Sequence, residues 1–138
     1  MSMKILVVDS DLPFLRKTRD LLEPRGHHVV HEADTDDALR RSLKWHPDVI
    51  MVSTEYDSCC DGALLGDFSR LRPRPAILLT SEMTDFDRAW RAWRRGGDEV
   101  LFKPLLHSSE LHTAIMSARQ NALCPSRRRA ARPLAMSA

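Results

Sequence analysis

Pro47-Asp48-Val49-Ile50-Met51-Val52-Ser53 contains the most apolar stretch of the chain. Four apolar side chains in a row, without polar alternation, describe a strand covered on both faces, since a half-exposed strand would alternate. Shorter stretches of the same kind lie on either side: residues 4–8 stopping at Asp9, Val29 and Val30, residues 76–79 ending at Thr80, and residues 100–102 before Lys103-Pro104.

Helical patterns fill the intervals. Asp11 is placed to cap a helix in which Pro13 lies in the first turn and Phe14, Leu15, Thr18, Leu21 and Leu22 recur at helical spacing until Pro24 and Gly26. Asp34 or Thr35 caps a second helix with the stripe Ala38, Leu39, Ser42 and Leu43, and Trp45-His46-Pro47 breaks it. Residues 53–62 read as a polar loop, 63–71 as a helix, and Arg72-Pro73-Arg74-Pro75 as a rigid connector. Residues 85–95 carry Phe86, Ala89, Trp90 and Trp93 on one side of a fourth helix, with Gly96-Gly97 as its stop. A fifth helix, capped by Ser108 or Ser109, turns Leu111, Ile115 and Ala118 inward. Buried strands alternating with helices require crossover connections, hence a doubly wound five-stranded parallel sheet with five helices in a three-layer α/β/α arrangement. In such sheets ligands meet the carboxyl ends of the strands. Asp9 to Asp11, Ser53 to Glu55, Thr80 to Glu82 and Lys103 stand there.

A length of 138 residues fits one domain, read as residues 1–123 followed by a basic, mobile tail over 124–138, and leaves no room for a second catalytic domain. The tail's composition locates the basicity: residues 119–138 hold five arginines and no acid, so the formal charge of +2 leaves residues 1–118 at −3. The body therefore lacks the clustered cations of a nucleic-acid surface, and Arg127 to Arg129 supply only weak, salt-sensitive attraction. Cys59, Cys60 and Cys124 form no framework spacing, which fits a reducing compartment. No apolar run approaches the roughly 20 residues of a membrane span. A cytoplasmic protein without membrane contact is expected.

Ile5-Leu6-Val7-Val8-Asp9, Pro47-Asp48-Val49-Ile50-Met51-Val52, Leu78-Leu79-Thr80-Ser81, and residues 96–104, ending in Phe102-Lys103-Pro104, together resemble the receiver domain of two-component response regulators. The resemblance covers residues 3 to about 120 and implies a flavodoxin-like fold. It implies a phosphoryl group passed from a histidine kinase to an Asp at the end of the third strand. Mg²⁺ would be held by an acidic pair after the first strand, and the phosphoryl oxygens by a Thr or Ser after the fourth and a Lys after the fifth. Hard oxygens suit the ion, and positioned donors and cations suit the developing charge. Asp9, Thr80 and Lys103 match. Counting five residues on from Asp48 places Ser53 at the acceptor position, and Ser10 replaces the second acid, with Asp11 one place late. Val100 stands where the family usually has the Tyr or Phe that swings inward. A serine hydroxyl is a weak nucleophile without a general base.

These departures describe an atypical, non-enzymatic receiver whose pocket retains Asp9, Ser10, Ser53, Thr80 and Lys103, with weak or absent Mg²⁺ binding, acting through protein contacts. Lys103 is expected to pair with Asp9 and to hydrogen-bond Ser53, because a buried unpaired ammonium is expensive. Two other readings stay open: phosphorylation on Glu55 or Asp57, and a redox-responsive module using Cys59 and Cys60. His27, His28 and His31 read as surface residues. By the resemblance, the fourth helix, fifth strand and fifth helix form the signalling and dimerisation face. Trp90, Arg91, Arg94 and Glu99 are its candidate residues, toward a histidine kinase, another regulator or a second copy.

Overall fold

The computed structural model describes residues 1–124. Five strands, β1 (Lys4–Val8), β2 (His28–Glu32), β3 (Val49–Ser53), β4 (Ala76–Glu82) and β5 (Glu99–Lys103), form one sheet in the order β2-β1-β3-β4-β5. Every pairing is parallel, with Ile5 opposite Val49, Ser53 opposite Thr80 and Glu82 opposite Lys103. Six α-helices cross between them: α1 (Leu12–Leu22), α2 (Thr35–Trp45), α3 (Asp57–Cys60), α4 (Ala63–Ser69), α5 (Phe86–Arg95) and α6 (Ser108–Leu123). The expected doubly wound α/β/α architecture is the one observed. The expected fourth and fifth helices are α5 and α6. The tail over 124–138 falls, from residue 125 onward, outside the described residues.

The period-two alternation of strand side chains divides the core in two. Ile5, Val7, Val49, Met51, Leu78 and Leu101 face α1 and α6, where Phe14, Leu15, Leu111 and Ile115 close one layer. Leu6, Val8, Ile50, Val52, Leu79 and Val100 face the other side, against Ala38, Leu65, Phe68, Ala89 and Trp93. Both faces of β1 and β3 are thus apolar, which is why neither strand shows alternation in sequence.

Local chemistry sets the helix ends. Asp11 Oδ1 accepts from the Phe14 backbone N–H at 3.1 Å, and Asp34 Oδ1 accepts from Asp37 N–H at 2.9 Å. Each satisfies a donor that the first helical turn leaves without a partner. His46, at φ 53°, ends α2 in the left-handed region. The peptide bonds Arg72–Pro73 and Lys103–Pro104 are cis.

Four local expectations are corrected. The polar loop after β3 contains a one-turn helix, α3, because the Cys59 side chain is drawn completely into the second core. Leu43 is exposed, and the inner stripe of α2 is completed by Trp45 instead. The N-cap of α6 is His107 rather than either serine, since Glu110 reaches back to the N–H groups of His107 and Leu106, at 2.7 and 3.0 Å. His27 is buried, its Nδ1 accepting from Met3 N–H at 3.1 Å, and so ties the amino terminus to the start of β2.

Gly97 shows how tightly β5 is led into the sheet. A Cβ there would stand 2.3 Å from Leu79 Cδ1 and 2.7 Å from Leu79 Cγ, so the fully buried Leu79 side chain would have to shift to admit it. Gly97→Ala should therefore destabilise the fold by about 1–3 kcal/mol in urea unfolding, the usual penalty of overpacking. An unchanged midpoint would show that Leu79 repacks freely.

Candidate functional site at the carboxyl ends of the strands

The strand order reverses direction about β1, so the crevice between β1 and β3 is the topological switch point of the sheet. Asp9 follows β1 directly, Ser53 ends β3, Thr80 lies in β4 opposite it, and Lys103 ends β5. All four are almost completely buried, Lys103 being 4% exposed and Asp9 1%.

Lys103 organises the group. Its Nζ lies 2.8 Å from Asp9 Oδ2 and 3.2 Å from Asp11 Oδ2. Beneath it the Phe14 ring presents its face, with the centroid 4.6 Å from the ammonium. Burial alone would lower the Lys103 pKa, but the contacts with Asp9 and then Asp11 outweigh it and hold the ammonium above the ordinary lysine value. Burial likewise acts to raise the Asp11 carboxyl, and is outweighed by the bond from Phe14 N–H and by Lys103, so its pKa is lowered. Asp11 carries two duties at once, capping α1 through one oxygen and holding Lys103 through the other. Asp9 Oδ1 accepts from Asp11 N–H at 3.0 Å, which fixes the turn between the two carboxylates.

The second partner of Lys103 is thus Asp11, where Ser53 was expected. Ser53 turns its hydroxyl to the loop, accepting from Glu55 N–H at 3.1 Å. The next residues are bonded to β4: Thr54 N–H donates to Thr80 O at 2.9 Å, and Thr54 Oγ1 donates to Ser81 Oγ at 2.8 Å. Ser10 is exposed, away from the pair. A cleft of about 280 Å³ opens beside the ammonium, lined by Asp11, Phe14, Lys17, Glu82, Lys103 and Leu105, so the Asp11 side is reachable from solvent.

Several residues that reach this region carry no signal in the sequence. His31 Nε2 donates to Asp9 O at 2.6 Å, so an imidazole does stand at the strand ends, although bonded to backbone. Arg88 of α5 donates to Thr54 O at 3.0 Å, Glu55 O at 2.9 Å and Asp57 Oδ1 at 3.2 Å. Glu55 and Asp57 themselves are exposed and stand outside the buried group.

Of the residues assigned to a partner surface, Arg91 and Arg94 are exposed and Trp90 is half-buried at the rim of the second core. Glu99 is a correction: it is 1% exposed, its carboxylate accepting from Ser117 Oγ at 2.6 Å and Val100 N–H at 3.0 Å, so it binds α6 to β5 from within. Val100 is buried against Leu79 in the sheet. Cys59 is enclosed, and burial pushes its thiol up to about 12, while Cys60 donates to Thr54 O and Arg88 O. Cys59 therefore lacks the low-pKa, exposed character of a redox sensor.

The Lys103 pair has a definite pH signature. A raised lysine pKa contributes stability that is present below the ordinary lysine value of 10.5 and is lost as pH rises through the folded value. A lowered Asp11 contributes stability present above its ordinary 3.8 and lost as pH falls through the folded value. Unfolding free energy should therefore hold a plateau that ends, on the alkaline side, near the ordinary thiol value of 9.0, where buried Cys59 begins to cost stability, with the Lys103 contribution lost above 10.5. Lys103→Met should lower that plateau by about 3–5 kcal/mol, because it strands buried Asp9 without a counter-charge, and should make the alkaline limb shallower above 10.5 while leaving the Cys59 part of it. Urea titrations from acid to alkaline pH check both; an alkaline limb equally steep in the variant and the wild type would refute the assignment.

No family model matches the chain. Protein PilG of Pseudomonas aeruginosa is 31% identical over 108 residues, which is 74% of this chain and 77% of that protein. The response regulator receiver domain protein of Clostridium thermocellum superimposes with a TM-score of 0.72 at 26% identity, over 86% of this chain and 95% of that one. A CheY-like receiver domain protein of Methanospirillum hungatei gives 0.73 at 20% identity, over 89% and 98%. NtrX of Brucella abortus gives 0.78 at 23% identity over 92% of this chain, which spans only 28% of that longer protein. A doubly wound sheet with Asp9, Thr80 and Lys103 at its strand ends, and a relative that matches over three-quarters of its own length, place the chain in the receiver-domain family of two-component response regulators.

Proposed function

We propose that this receiver signals through its surface, without carrying a phosphoryl group on an aspartate. The observation that carries the reading is the state of Lys103: its ammonium is neutralised by Asp9 and Asp11. The end of β3 offers only the Ser53 hydroxyl, which accepts a backbone hydrogen bond. By the resemblance, this lysine would bind the oxygens of a phosphoryl group carried at the end of the third strand. Here the lysine's charge is satisfied by the chain itself, and no step of phosphoryl transfer is left for it to assist.

The family's Mg²⁺ does not fit this donor set. Asp9 and Asp11 are the two carboxylates that hold Lys103, with Glu82 a third on the cleft wall, and a fixed positive charge lies within 3.2 Å of the first two. A divalent ion would have to displace the ammonium into an apolar surrounding that includes Phe14 and Leu105, at a high desolvation cost. Ser10 and Ser53 add hydroxyls, poorer ligands for a hard cation than carboxylates. The chain is read as a module without metal cofactor and without enzymatic turnover.

What remains available is surface. Phe86 is half exposed and stacks on Phe102 with ring centroids 6.1 Å apart, and Met83 and Leu106 are exposed near them in sequence. With half-buried Trp90 and exposed Arg91 and Arg94, α5 and β5 present aromatic and arginine side chains of the kind that anchor protein interfaces. The partner is a protein of the same signalling class: a histidine kinase, another regulator or a second copy. Among the described residues no helix is long and apolar enough to cross a membrane.

Incubation of the chain with acetyl phosphate and Mg²⁺ should leave its intact mass unchanged. A gain of one phosphoryl group that hydroxylamine removes would show an acyl phosphate and overturn this reading. A gain resistant to hydroxylamine but abolished by Ser53→Ala would place the chemistry on the serine, and would overturn it equally.

A further inference from the structure

Helix α5 begins without the usual device. Asp85 is its N-cap residue, but makes no side-chain cap hydrogen bond. The three residues before α5, Met83–Asp85, form a separate turn of 3-10 helix. One turn in, Arg88 reaches across to the segment that follows β3. Its Nε donates to Thr54 O at 3.0 Å, and its Nη2 donates to Glu55 O at 2.9 Å and to Asp57 Oδ1 at 3.2 Å. Thr54 O, just past the end of the β3 ladder, is a buried acceptor that needs such a donor. The return contact comes from Cys60, whose Sγ donates to Thr54 O at 3.4 Å and to Arg88 O at 3.8 Å.

We propose that Arg88 is a positioning residue that clamps the β3–α3 segment to α5, so that the partner-facing side of α5 is held in one arrangement by the chain's own hydrogen bonds. The inference deepens the reading above, in which no phosphoryl group is present to order this loop. Two other ties support it. Tyr56 donates its hydroxyl to Ala33 O, and Thr54 is bonded to Thr80 and Ser81 of β4. The loop is thus fixed to α5, to β4 and to the turn before α2. Val100, aliphatic and 2% exposed at the switch position, has no aromatic ring to carry a signal between pocket and surface, and Arg88, with the weaker Cys60 thiol contact beside it, is the side chain that ties this loop to α5.

The fork geometry matters. A guanidinium presents donors in fixed directions and can serve separate acceptors at once, whereas a lysine ammonium is a compact point charge at a different reach. Asp57 contributes least, because its side chain is 96% exposed and solvent-exposed ion pairs are worth little. The two backbone carbonyls carry the clamp.

Hydrogen exchange on the full chain tests this, without acetyl phosphate or added Mg²⁺. In Arg88→Met, which keeps an apolar stem, amides of residues 54–60 and of residues 83–92 should exchange about tenfold faster, together, while β1, β2 and α1 stay at wild-type rates. Arg88→Lys should not restore either segment, and Asp57→Asn should exchange like wild type. Faster exchange in α5 alone, an equal rise throughout the sheet, or full rescue by lysine would each overturn the proposal. A chain that did accept a phosphoryl group would still show the coupled response, and a failure of the coupling would leave standing the reading of a receiver without aspartyl phosphorylation.

Discussion

An ammonium group removed from water must find counter-charge close by, and Lys103 finds two carboxylates. The requirement is strict, because an isolated charge in an apolar interior costs far more than a domain's whole margin of stability. Its solution here joins elements that are far apart in sequence. Asp9 comes from the end of β1, Lys103 from the end of β5, and Asp11 from the cap of α1, whose Phe14 supplies the ring beneath the ammonium. The open end of the sheet between β1 and β5 is closed by this single charge.

Such a pair is not by itself a large source of stability. Desolvation of both partners consumes most of the Coulombic gain, and an apolar replacement of similar shape is often as stable. Its effect is specificity of arrangement. One carboxylate, Asp11, is held by a helix N-terminus and a lysine simultaneously, so the angle at which α1 leaves the sheet and the position of the β5 end are set by the same side chain. The cis peptide that follows Lys103 then leads the chain into Leu105, buried in the layer formed by α1 and α6.

The sheet was legible because strands covered on both faces are written as continuous apolar runs, and the helix ends because caps and breakers act locally. Asp11, Pro13 and Asp34 did what their positions say. The residues that escaped reading are those whose role depends on contacts far along the chain. Glu99 sits in a run of charges that reads as a surface, yet its partner Ser117 is 18 positions away on α6. Asp98, its neighbour, is held inward by Arg74, at 2.9 Å, and by Ile77 N–H, at 2.8 Å. The four-residue α3 has too few positions to display a period. Its signal was Cys59, an apolar side chain in a polar stretch, whose burial could be guessed only with the second core in view.

The displacement of the acid from position 10 to position 11 is the clearest case of a one-residue change altering chemistry. By the resemblance, the family's acidic pair stands directly after the first strand, whereas here the residue after Asp9 is an exposed serine. One residue later the carboxylate meets the first turn of α1, whose unpaired N–H groups and helix dipole favour an anion there. Asp11 takes that place, accepting from Phe14 N–H, and has one oxygen left over, which Lys103 fills. The anion is thereby committed twice, to backbone donors and to a fixed cation. Both commitments favour the charged carboxylate and lower its pKa against the opposing effect of burial. Through these two commitments Asp11 becomes a clasp between α1 and β5, and on the reading proposed above it is a clasp in place of an ion ligand.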